Sequence, residues 1–116
     1  MDQQLEKAFQ TANFMATLTN QRSVAFEEYQ QNLIYYNNGS SFLITKELIS
    51  FVKLLLDSGF DKNTILIDSN NIPVSISNLE EFYQSIVNQY LTASLVYYNT
   101  YTEIRAKRNI EDLVKL

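Results

Sequence analysis

Three groups of side chains in this chain could do chemistry. The first is a row of tyrosines, Tyr83, Tyr90 and Tyr97, spaced by seven residues and continued by Ile104. Leu79, Ile86 and Ala93 interleave with it. Alternating steps of three and four make a helical seam suited to packing along another long helix. Tyr98 and Tyr101 lie off the seam, and Phe26 and Tyr29 stand on an earlier apolar stripe. Tyrosine favours interfaces because its ring buries area while its hydroxyl stays solvated or bonded. These seven residues, Phe26, Tyr29, Tyr83, Tyr90, Tyr97, Tyr98 and Tyr101, are the expected protein-interaction surface. Burial within the monomer is the competing role.

The second group is Arg105, Lys107 and Arg108, the only dense basic cluster. It is expected near a helix C-terminus, where the macrodipole favours cations. An anion contact is its functional alternative. The third group is acidic. Asp57, Asp61 and Asp68 lie near Asn63, Asn70 and Asn71, but their spacing does not match a calcium-binding loop. Glu27-Glu28 and Glu80-Glu81 are adjacent pairs, so on a helix their side chains diverge by about 100°.

What is missing narrows the chemistry further. The chain has no His, no Cys and no Trp, and only two Gly and one Pro among 116 residues. No imidazole can act as a general base and no thiolate as a nucleophile or metal ligand. No serine has a histidine partner, and two glycines are too few for a phosphate-cradling loop. The sequence therefore assigns no catalytic, cofactor or metal residues, and the chain reads as a non-enzyme. A net charge of −4 and a pI near 4.7 argue against broad affinity for nucleic acid or anionic membranes. Neither a signal peptide nor a membrane-spanning apolar run is visible, so an intracellular, cytoplasmic protein is expected.

The elements that must position these groups follow from periodicity. Apolar residues from Leu5 to Tyr36 mark a long first helix, capped at Asp2 and ending near Asn32. Leu33-Ile34-Tyr35-Tyr36 and Ser41-Phe42-Leu43-Ile44 flank Asn38-Gly39, which predicts a hairpin. Thr45 caps a second helix carrying Leu48, Val52 and Leu55, with Gly59 as its stop. Ile65-Leu66-Ile67 and Val74-Ser75-Ile76 predict a second hairpin around Asp68-Ser69-Asn70-Asn71. Ser77, with Glu80 three residues on, reads as the cap of a last helix running to about Arg108. Residues 110–116 form a short extra turn or a docking tail.

The order α-ββ-α-ββ-α gives one domain of the α+β class. A shift of 32 residues superposes the two hairpin-cap-helix segments in character. The four strands form either one antiparallel sheet or two separate hairpins. The terminal helices pack antiparallel or cross between subunits of a dimer.

The stretches Ala12-Asn13-Phe14-Met15-Ala16-Thr17-Leu18 and Leu48-Ile49-Ser50-Phe51-Val52-Lys53, with the Asn-, Ile- and Tyr-rich composition, give the chain a texture. It resembles small uncharacterised proteins of T4-like tailed phages of marine cyanobacteria. That resemblance implies a phage-type protein located in the host cytoplasm or in the virion. The expected function is non-enzymatic, through self-assembly as a homo-oligomer (a dimer) or through binding another protein. The alternatives are a host-directed inhibitor or adaptor acting on a bacterial enzyme or polymerase, and a nucleic-acid accessory protein.

Overall fold

A computed structural model describes residues 2–114, with side-chain surroundings for 2–107. The elements are α1 (Asp2–Asn32), β1 (Ile34–Asn37), β2 (Ser40–Leu43), α2 (Lys46–Asp57), β3 (Lys62–Ile67), β4 (Pro73–Asn78) and α3 (Leu79–Val114). This is the α-ββ-α-ββ-α order of an α+β protein. The described chain divides into two compact units. One is built from residues 2–29 and 96–114, the other from Gln30–Leu95.

The central unit holds both hairpins and α2. β1 pairs antiparallel with β2, with Asn37 opposite Ser40, so Asn38-Gly39 is a two-residue turn. Both residues have positive φ, 50° and 82°, as a turn matching the strand twist requires. Thr45 has extended backbone and its hydroxyl accepts from the Leu48 N–H, the N-cap that the sequence predicts. At the other end of α2, Gly59 adopts φ 88°. The Gly59 N–H donates to Leu56 C=O and the Phe60 N–H to Leu55 C=O. That pair of bonds satisfies two otherwise orphaned helix carbonyls.

The second hairpin is closed by a side chain. Asp68 is nearly buried at 6% exposure. Its Oδ1 accepts from the N–H groups of Asn70 at 2.9 Å and Ile72 at 2.8 Å. The loop this creates spans residues 68–72, between Ile67 and its partner Pro73. It presents Ser69 to the outer edge of β2. The Ser69 N–H donates to Ser41 C=O, and the Leu43 N–H donates to Ser69 Oγ. A turn thus occupies the β2 edge where a third strand would otherwise pair. The result is two separate two-stranded sheets, the second of the two expected arrangements.

The cap of α3 differs from expectation by one residue. Ser77-x-x-Glu80 and Asn78-x-x-Glu81 both have capping-box spacing. The strand decides between them, because Lys62 still pairs with Asn78, which keeps Ser77 within β4. Asn78 Oδ1 then accepts from the Glu81 N–H at 3.1 Å. The end of α3 also differs. The helix continues past Arg108 to Val114, through most of the segment read as an extra turn or tail.

The interior of the central unit contains Phe42, Ile44, Val52, Leu66, Ile76, Leu79, Phe82, Ile86 and Ala93, all buried. The Phe82 ring meets Phe42 edge-on at 5.1 Å and Tyr35 at 5.4 Å. Gln89 on α3 donates through Nε2 to both Asn32 C=O and Ile34 C=O, each at 2.8 Å. One amide thereby serves a terminal carbonyl of α1 and the first carbonyl of β1.

Candidate functional site

The terminal unit is a pair of helices. Tyr29 faces Tyr97, Arg22 faces Tyr101, and Leu18 and Ala25 cluster with Ile104. Numbers fall along α1 as they rise along α3, so within this unit the two segments run antiparallel. The expected antiparallel packing is present here.

The heptad row divides by burial. Leu79, Ile86 and Ala93 are fully buried in the central unit, while Tyr83 and Tyr90 beside them are half-buried. Lys53 sits 5.9 Å from the Tyr83 ring and pairs with Asp57 at 3.1 Å. The hydrogen bond and charge of Asp57 raise the Lys53 pKa above its ordinary 10.5.

The remaining aromatic residues gather in the terminal unit. Tyr29 and Tyr97 stack at 4.8 Å with an interplanar angle of 16°. Phe26 leans on both, and Tyr101 meets Tyr97 edge-on at 6.3 Å. The Arg22 guanidinium lies 5.7 Å from the Tyr101 ring centre, within cation–π range. Arg22 interrupts the apolar stripe of α1, and the Tyr101 ring lies beneath it. Tyr98 projects outward at 68% exposure. Phe26, Tyr29, Tyr97 and Tyr101 are therefore brought together, Tyr98 lies on the same helical segment, and Tyr83 and Tyr90 belong to the other unit.

A groove of about 390 Å3 runs along this helix pair. Thr17, Gln21, Val24, Glu28, Glu103 and Lys107 are among its walls. Gln21 Oε1 and the neighbouring Arg22 Nε are buried with no hydrogen-bond partner among the described residues. Each such group costs about 1–3 kcal/mol unless a partner supplies the missing bond.

Arg105 and Lys107 are exposed, and the side chain of Arg108 lies outside the described residues. The helix-end explanation for this cluster fails. The dipole acts within the last turn, and α3 runs six residues beyond Arg108, to Val114. No group of three or more acidic residues able to share a metal ion occurs among the described residues. No described helix is long and apolar enough to cross a membrane. No protein-family model, curated protein or solved structure matches the chain.

Proposed function

We propose that this chain is a non-enzymatic assembly protein whose helix pair takes a second copy of the chain as its partner. One observation carries the reading. The α1 segment 2–29 makes about eight turns, and a core-facing helix of that length buries roughly a dozen apolar side chains. Only Leu18 and Ala25 of α1 are buried. Leu5, Phe9, Met15, Val24 and Phe26 are exposed on the same helix, as are Val96 and Tyr98 on α3. Helices draw most of their stability from packing an apolar face. Here these apolar side chains are left uncovered by the described residues.

Charge supports a second copy over an oppositely charged partner. Residues 8–21 contain no Asp, Glu, Lys or Arg, although the chain carries a net charge of −4. An uncharged helix face neither repels its own copy nor selects a charged stranger. The phage-type assignment belongs to the same proposal and rests on the sequence texture.

The test is absolute mass in solution by light scattering. The wild type is expected as a dimer. Phe26→Asp and Tyr98→Asp, both at exposed positions, are expected as monomers with unchanged helical circular dichroism. A wild type that is monomeric throughout the micromolar range would overturn the proposal.

A further inference from the structure

A second concavity, unrelated to the helix pair, lies within the central unit and encloses about 210 Å3. Three elements build it. Tyr35, Asn37 and Asn38 come from the first hairpin, Ser75 and Ser77 from β4, and Glu81 from the first turn of α3. Ser75 and Ser77 flank the buried Ile76, so both lie on the exposed face of β4. The Tyr35 ring is held edge-on against Phe82, with 79° between their planes.

None of these six polar side chains makes a hydrogen bond to another described residue. The fold uses Asn78, beside them, as a helix cap, but leaves the other polar groups in the cleft unspent. Their chemistry defines what could use them. Each amide and hydroxyl carries both donor and acceptor, and Glu81 adds acceptor oxygens. No Lys or Arg lines the cleft, which disfavours phosphate, sulfate or carboxylate ligands. A simple cation would satisfy only the acceptors, and the positive end of α3 offsets part of the Glu81 charge. A ligand whose every group both donates and accepts matches the whole set. The volume falls below the roughly 300–1,000 Å3 of drug-sized sites, so one ring fits and not several.

We infer that this cleft is a binding site for a neutral polyhydroxylated ligand, a single saccharide ring. The inference stands independently of self-assembly, since no residue of the helix pair takes part.

The experiment is a 15N NMR titration of the full chain with the methyl glycosides of glucose, mannose and galactose. Putrescine and inorganic phosphate serve as charged comparators. At least one glycoside is expected to give saturable shifts confined to residues 35–38 and 75–82. Asn37→Ala and Ser77→Ala should each weaken that binding about three- to tenfold, and Glu81→Gln about tenfold. The melting temperatures of Asn37→Ala and Ser77→Ala should hold, because these side chains make no internal bond, while Glu81→Gln should lose only the small contribution of its charge at the helix N-terminus. No saturable shift with any of the three glycosides would overturn the proposal. So would shifts from putrescine or phosphate alone, or glycoside binding indifferent to all three substitutions.

Discussion

Asp68 closes the turn of the second hairpin, and removing its carboxyl should be costly although the turn around it is exposed. Its Oδ1 accepts two backbone N–H groups at 2.8–2.9 Å, and the residue is 6% exposed. Hydrogen bonds to a charged acceptor are worth about 1.5–3 kcal/mol each, and water can recover part of that at an exposed loop. Asp68→Ala should therefore destabilise the protein by roughly 2–4 kcal/mol at pH 7. For a domain of this size the melting temperature should fall by roughly 10 °C or more. Asp68→Asn keeps a carbonyl acceptor in place and should cost about 1 kcal/mol. Urea unfolding followed by circular dichroism gives these differences. Amide exchange supplies a local check, because Asp68 holds the loop that lets Ser69 bond Ser41 and Leu43. The Leu43 amide should lose protection in Asp68→Ala. A loss of stability under about 0.5 kcal/mol, with Leu43 still protected, would refute the reasoning.

Two further outcomes follow from the caps and the Lys53–Asp57 ion pair. Asn78→Ala should cost about 1 kcal/mol in urea unfolding and Ser77→Ala almost nothing; the reverse order would return the α3 cap to Ser77. Asp57 raises the Lys53 pKa above 10.5, so the stabilisation from this pair is fully present below 10.5 and is lost as pH rises through the folded value. An NMR titration should find the Lys53 pKa moving back towards 10.5 in Asp57→Asn and in high salt, because the pair is exposed. An unchanged value in Asp57→Asn would show that Asp57 is not the cause.

Local signals were legible in the sequence wherever a few neighbouring residues decide the backbone. Asn38-Gly39 admits positive φ at two successive positions, and the hairpin follows. Thr45 and Gly59 bracket α2 because each satisfies helix-end groups within four residues of itself. The Ser77 reading failed for a non-local reason: both overlapping cap motifs were viable, and pairing of Asn78 with Lys62 across the hairpin selected one. The choice between one sheet and two was equally hidden. It depends on Ser69 reaching the β2 edge, a contact separated by 26 residues from Leu43. At the candidate interface, periodicity located Tyr97 and Ile104. It gave no sign that Leu79, Ile86 and Ala93 would be fully buried while Tyr83 and Tyr90 stay half-covered. The saccharide cleft left no motif, because its residues come from three separated segments and are ordinary turn and cap types taken singly.

The double bond made by Gln89 has a consequence for the order in which the central unit forms. Each hairpin closes over a handful of residues, a step of about 1–10 μs in isolation. Gln89 must instead find carbonyls 57 and 55 residues away. Closing a flexible loop of that length costs about 3.5 kcal/mol of chain entropy before either bond is made. The clamp therefore forms only once the buried side chains of α3 have met the hairpins. A refolding probe at Asn38-Gly39 would run ahead of one at Gln89, and the carbonyls of Asn32 and Ile34 would keep their water until that clamp forms.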